Sequence, residues 1–352
     1  MTRPPAAALA LLTVSGLTAG DPDLGGMARR FADEMIVAGT DRWGREHSPQ
    51  FASMLLRTDP PELLPDAVFP TEGRPFQRMP VTNLPNIYKG NNRAHKITYR
   101  GGDVGSDVAL YQLLYSLTAA TGESRYNDAA DASLRWFLAH APLHNGLLPW
   151  GEHSGWDFRR ERADYGYPFD RKHEFDSRWP LWERFLALQP KAGPGGWTVP
   201  ERFSRGLWRG AVASHGDRLL YGRHAPMFEF DRPDIGDWAD FGMFPRHGGY
   251  YLDVWSATLA ATQSAEFAKW MSLRVEQFVT ALERQTDEHG FAAYLSKRDV
   301  VFNSRQVASL AVDLEASAQR LGQRYPELAR RMSQLVLAPK PLPRRARRPT
   351  GS

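Results

Sequence analysis

The sequence predicts an all-α fold, an (α/α) toroid built from repeated helix pairs, on three observations. Apolar residues recur at helical spacing: Leu110, Leu113, Leu114 and Leu117 form one stripe, and Leu134, Phe137 and Leu138 another. This is the 3.6-residue period of a face packed against a neighbour. Residues 119–138 (AATGESRYNDAADASLRWFL) align without a gap on residues 260–279 (AATQSAEFAKWMSLRVEQFV), with Ala119, Ala120 and Thr121 identical and Tyr126/Phe267, Leu134/Val275 and Phe137/Phe278 alike in kind. The same helix therefore occurs twice. Finally, long Gly- and Pro-rich charged stretches at 39–102 and 140–178 separate the helical segments. In a repeat array, insertions of this kind gather on the functional face.

Taken in order, a helix is expected over Leu24–Ala38, then one opening near Gly105 with Asp103 or Ser106 as its N-cap, since short polar side chains satisfy the free N–H groups there. Its partner carries the first copy of the repeat. Beyond it, Asn145-Gly146-Leu147 supplies a glycine where a chain leaves a helix in a left-handed conformation. His289-Gly290-Phe291 echoes it after the second copy, and each loop returns an aromatic residue, Trp150 or Tyr294. Further helices are expected over Pro180–Ala187, Pro200–Val212, Arg305–Leu321 and Pro326–Leu335. Strand signals are scarce. The third helix pair is followed closely by an arginine-rich end, so the ring is expected to be short of helices on its C-terminal side.

At 352 residues, 42% apolar and 24% charged, the chain has ample material for a large core. Its +4 net charge comes from Lys340, Arg344, Arg345, Arg347 and Arg348. Without these five the chain is nearly neutral, which argues against a nucleic-acid partner. Residues 338–352 are expected to be a solvated, disordered basic tail, and residues 21–337 the catalytic toroid. Residues 1–20 resemble a secretory signal peptide, with Arg3, an apolar run from Ala6 to Val14 and small residues after it. The expected location is periplasmic or secreted. No other apolar run approaches the roughly 18 residues of a membrane span. The absence of cysteine excludes disulfides, a thiolate nucleophile and Cys-ligated zinc.

Residues 149–184 hold Trp150, Trp156, Trp179 and Trp182, together with His153, His173 and many carboxylates and arginines. Indoles stack on the apolar C–H faces of sugars while charged groups bind hydroxyls and carboxylates, so this composition fits a carbohydrate site, with Trp150 and Trp156 as stacking platforms. The competing explanation is a core corner filled by tryptophan. His153, Glu174 and His224 together offer two imidazoles and a carboxylate, a donor set for a divalent transition metal with positions left open for substrate. Arg246 and His247, in MFPRHGGYY, suit a substrate carboxylate, or alternatively a helix start.

The order WGEH, HEFDSRWPLWE and GRH, preceded by 41-DRWGREHSPQFASML-55, resembles the periplasmic pectate lyases of polysaccharide lyase family 2 over roughly residues 25–300. The resemblance implies His153, Glu174 and His224 as metal ligands, with Mn, Co or Ni favoured over Ca, and Arg223 as catalytic base; Arg246 joins the catalytic set on its own chemistry, as a fork for the substrate carboxylate. The resemblance further implies β-elimination on an acidic polysaccharide, in which the base removes the C5 proton of a uronate whose carboxylate is neutralised. Arginine is an awkward base because its guanidinium is ordinarily always protonated. Lys172 and His173 are the substitutes.

Asn91, Asn92, His95, Tyr99 and Arg100 form a second constellation, of the types by which metal-free toroidal lyases neutralise a uronate and abstract its proton through tyrosine. Asn92, Tyr99 and Arg100 also suit the substrate groove of a metal-dependent enzyme. Two other functions fit the same composition. An inverting glycosidase would draw its carboxylates from Asp103, Asp107, Glu152, Asp157, Glu174 and Asp176. A non-catalytic glycan-binding protein would use the aromatics alone.

Overall fold

A computed structural model describes residues 23–63, 101–151, 154–165, 172–174, 180–189, 196–215, 218–222, 224–226, 245–289, 294–295, 300–301 and 304–337. The first 22 residues and the basic tail lie outside these. The described residues are mostly helical, in agreement with the helical class expected from sequence. The helices are α1 (Leu24–Val37), α2 (Val108–Thr121), α3 (Ser124–His140), α4 (Trp182–Leu188), α5 (Val199–Ala211), α6 (Pro245–Ala261), α7 (Ala265–His289), α8 (Ser304–Leu321) and α9 (Pro326–Leu337). Helix α2 packs on α3, α6 on both α7 and α8, and α8 on α9.

The internal repeat maps onto α2–α3 and α6–α7. Tyr126, Leu134 and Phe137 are fully buried, as are their counterparts Phe267, Val275 and Phe278. The turn between the helices is built by one device in both copies. Thr121 Oγ1 accepts the N–H of Glu123 at 3.2 Å, and Thr262 Oγ1 accepts the N–H of Ser264 at 3.0 Å. A threonine hydroxyl that bonds the backbone two residues on fixes a tight turn locally. The matched threonine was thus the structural signature of the repeat.

Helix α5 begins with a capping box. Thr198 Oγ1 accepts the N–H of Glu201, while the Glu201 carboxylate accepts the N–H of Thr198 at 2.7 Å, so two otherwise free donors are satisfied reciprocally. Its buried face (Phe203, Leu207, Ala211) joins an aromatic core in which Trp150, Trp182, Phe185 and Phe137 meet, with ring centroids 5–7 Å apart in stacked, tilted and edge-on arrangements. Gly146, at φ +85°, returns the chain against this helix, where a side chain would strike the Arg202 carbonyl. The helix near Gly105 starts later than expected, at Val108. Asp107 occupies its N-cap without a side-chain bond to the helix, because Asp103 spends its carboxylate on the preceding turn, accepting the N–H groups of Gly105 and Ser106.

Strands are more frequent than their scarce sequence signals suggested, but each has two to four residues. They are β1 (Gly101–Gly102), β2 (Ser154–Asp157), β3 (Arg162–Tyr165), β4 (Lys172–Glu174), β5 (Val212–His215), β6 (Arg218–Tyr221), β7 (His224–Pro226), β8 (Tyr294–Leu295) and β9 (Val300–Val301). All pair antiparallel, as β1-β2-β3, β4-β7, β5-β6 and β8-β9. They occupy the stretches between the helix pairs.

Because Phe278 is fully enclosed between Trp255 and Tyr221, Phe278→Ala is expected to lower stability by about 3–5 kcal/mol in urea unfolding. A loss below about 1 kcal/mol would show that the repeat helix is not anchored through this ring.

Candidate active site

Strand β4 comes from the stretch before α4, and β7 follows the β5–β6 hairpin that leaves α5. Their register is Lys172 opposite Pro226, His173 opposite Ala225 and Glu174 opposite His224. Directly opposed residues of an antiparallel pair stand on one face with Cβ atoms roughly 4.5–5.5 Å apart. Two of the three residues expected to ligate metal therefore meet as cross-strand neighbours. His173, one position along, is paired in register with Ala225. Lys172 falls on the same face as Glu174.

The approach to His224 is fixed from both sides. The Gly222 N–H donates to the Ala211 carbonyl at 2.7 Å, closing the hairpin onto the end of α5, and the Gly222 carbonyl accepts the buried Tyr251 hydroxyl at 3.0 Å. Ala225, one residue further, is fully buried in the core. Arg223 itself lies outside the described residues, bracketed by these anchored positions.

His153 also lies outside the described residues, and its neighbours are held firmly. Gly151 adopts φ +90°, a conformation suited to glycine, and donates its N–H to Asp103 Oδ1 at 2.8 Å. The Ser154 hydroxyl donates to the Trp150 carbonyl at 3.0 Å, and β2 then runs between β1 and β3. Trp156, in β2, is half-buried and meets Trp136 edge-on at 5.1 Å, while Trp136 stacks on the exposed His140 at 4.6 Å. Trp43 stacks on Phe158 at 5.9 Å under the Arg42 guanidinium. Trp43, Trp136 and Trp156 form an aromatic surface bordering β2. The sequence did not single out Trp136, because it stands inside a helical repeat where tryptophan reads as core; its signal is that it falls beside, not on, the buried Leu134/Phe137/Leu138 stripe.

Trp150 is a core residue. Only 2% of it is exposed, and its indole packs against Phe137, Phe185 and Phe203. A ring so enclosed has no face for a sugar, which corrects the expectation that it stacks on substrate. The tryptophan cluster therefore divides between core (Trp150, Trp182) and surface (Trp156). His247 is likewise buried, in the first turn of α6 and edge-on to Tyr250, and the Arg246 guanidinium lies 5.9 Å from the Tyr250 ring centre. Asn91, Asn92, His95, Tyr99, Arg100, Glu152 and Asp176 lie outside the described residues. The side chains of Lys172, His173, Glu174 and His224 also lie outside them.

Three carboxylates named for a hydrolytic reading are engaged in hydrogen bonds of the fold. Asp103 is fully buried, its Oδ1 accepting three backbone N–H groups, and burial pushes it up to about 6. Asp157 is 2% exposed and accepts the N–H groups of Arg159 and Arg160. Asp107 accepts the Ser53 hydroxyl and is pushed up to about 7, first by burial and then by the charge of Asp103.

Among known families, the model of the periplasmic pectate lyases matches residues 98–237. That span runs from β1 through β7 and contains Asp103, Trp156, Glu174 and His224, as well as His153 and Arg223. The resemblance read from the sequence motifs agrees with this match. No curated protein matches the chain.

The raised carboxyls carry a sign for stability. Their fold favours the protonated form, so this stabilisation is fully present below the ordinary carboxylate value of 3.8 and is lost as pH rises through about 6 and about 7. Asp107→Asn, whose amide oxygen can still accept from Ser53, is expected to unfold at a higher temperature than the parent at pH 8 and at nearly the same temperature at pH 4. A pH-independent difference in thermal unfolding would contradict the assignment.

Proposed function

We propose that the protein is a carbon–oxygen lyase of the periplasm or extracellular space that cleaves a pectate-like uronate polysaccharide by metal-assisted β-elimination. In this reading the helix pairs close into an α/α toroid. The observation that carries it is the register opposition of Glu174 and His224 within the residues that match the periplasmic pectate lyase family.

Two imidazoles and one carboxylate fit a divalent transition metal such as Mn, Co or Ni better than the oxygen-seeking Ca. His153, Glu174 and His224 would hold it. When bound, such a cation supplies Lewis-acid neutralisation of the uronate carboxylate, which makes the neighbouring C5 proton more acidic. Arg223, adjacent to His224, takes that proton. A guanidinium ordinarily loses its proton only above about pH 12, and a neighbouring positive charge favours its neutral form. As the C5–H bond breaks, its electron pair forms the C4–C5 double bond and the 4-linked sugar departs with the glycosidic oxygen. Arg246, at the head of α6, supplies positive charge toward the substrate carboxylate, where charge develops most at the transition state, and the buried His247 stands beside it in the same helical turn. Trp156, with Trp136 and Trp43, offers indole faces to the sugar rings, while Asn92, Tyr99 and Arg100 extend the groove.

Polygalacturonate with added Mn²⁺ is expected to give rising ultraviolet absorbance from the unsaturated product, abolished by chelator. Saturated reducing ends without that absorbance would defeat elimination. Glu174→Gln and His153→Ala are each expected to weaken Mn²⁺ binding about tenfold to a hundredfold by calorimetry, given about 1.4 kcal/mol per decade. Parent-like Mn²⁺ affinity in both variants would remove these residues from the site.

A further inference from the structure

A second group of aromatic and cationic side chains lies along α5 and α7 and shares no residue with the β4–β7 ladder. Trp197 stands just before α5, edge-on to Phe267 at 5.2 Å and 6.0 Å from Trp270. Arg205 lies 5.3 Å from the Trp197 ring centre. Arg274 sits between two further indoles, 5.4 Å from Trp270 and 5.7 Å from Trp208. Trp208 is backed by the fully buried Trp255 at 5.3 Å. The result is a continuous ladder, Arg205, Trp197, Trp270, Arg274, Trp208, each member half-buried.

Core packing does not account for the arginine in its middle. Arg274 has no carboxylate partner among the described residues. It makes one bond to a neutral group, Gln277 Oε1 at 2.8 Å, and its Nε is shielded from water without an acceptor. Stacking on indoles engages the face of a guanidinium and leaves the remaining in-plane Nη donors for a planar anion such as a carboxylate. The surroundings reinforce the sign. Arg202, Arg205 and Arg209 recur at spacings of three and four on α5, placing them on one face, with Arg202 and Arg209 exposed. Glu201, in that helix's first turn, is buried in its capping box and bonded by the Thr262 hydroxyl. Glu276 and Glu283 of α7 pair with Arg331, and Glu266 precedes Trp270 by one turn.

We propose that this ladder is a second binding surface for an anionic polysaccharide, separate from the candidate active site, which holds the polymer while a different segment is cleaved. Indoles take the apolar sugar faces and Arg274 takes a uronate carboxylate. From Trp197 to Trp208 the surface runs along most of α5, on the order of 15 Å at 1.5 Å per residue. That length favours a polymer over a single sugar. The choice of a uronate polymer rests on the proposed function, whereas the aromatic and cationic character does not.

The test is retention of the full chain in native gels containing polygalacturonate, run with chelator so that no turnover occurs. Arg274→Gln and Trp270→Ala are each expected to weaken retention by roughly tenfold, the equivalent of about one charged hydrogen bond or stacking contact, with unchanged melting temperature for Arg274→Gln. Turnover of trigalacturonate with Mn²⁺ is expected to stay at the parental level. Undiminished retention in both folded variants would overturn the proposal. Equal retention by a neutral glucan, or tighter retention by single-stranded DNA, would overturn it too. So would sedimentation showing that Arg274→Gln abolishes self-association while retention is unchanged, since the ladder would then be a contact between copies. Failure of the parent to turn over trigalacturonate would count against the lyase reading alone, because retention is measured without catalysis.

Discussion

The pairing of β4 with β7 is the constraint on which the candidate site depends. It joins two three-residue strands that lie on either side of α4, α5 and the β5–β6 hairpin, and its register sets Glu174 opposite His224. A slip of one residue would carry Glu174 to the other face and replace it with His173. What guards the register is the packing around it. Ala225 is buried, Gly222 is bonded both to the end of α5 and to Tyr251, and α5 is seated by its capping box. The chemistry of two polar residues is thus tied to the burial of apolar ones.

The same logic governs the approach to His153. Asp103 is kept in a fully buried position although that raises its proton affinity, and in return one carboxylate oxygen holds three N–H groups from two segments. A buried acceptor used three times ties the start of α2 to Gly151 more firmly than apolar contact would, because breaking it strands several polar groups away from water. Both ends of the candidate site are consequently attached to the helical core through glycine backbone groups, the N–H of Gly151 and the N–H and carbonyl of Gly222.

Much of the helical frame was legible because its signals are local. Pro200 and Pro326 mark the starts of their helices, and the matched residues 119–138 and 260–279 mark the repeat; the capping box of Thr198 and Glu201 and the turn-forming role of Thr121 and Thr262 emerge only in the structure. The strands were hard to read for an equally physical reason: three residues cannot display an alternation, and their pairing is set by partners distant in sequence. The pairing of Glu174 with His224 was accessible only through motif resemblance. Tryptophan count misled at Trp150, since a cluster of indoles looks the same in sequence whether it lines a groove or fills a core. The α5–α7 ladder was missed because its members sit on two helices far apart in the chain, each looking ordinary by itself.

The central claim is that His153, Glu174 and His224 converge on a single cation. Anomalous diffraction at the manganese edge from crystals grown with Mn²⁺ tests it most directly. The account predicts one strong peak bounded by the Glu174 carboxylate and the His224 imidazole, with His153 completing the protein ligands. A peak elsewhere on the chain, or none between those two residues at saturating Mn²⁺, would contradict it.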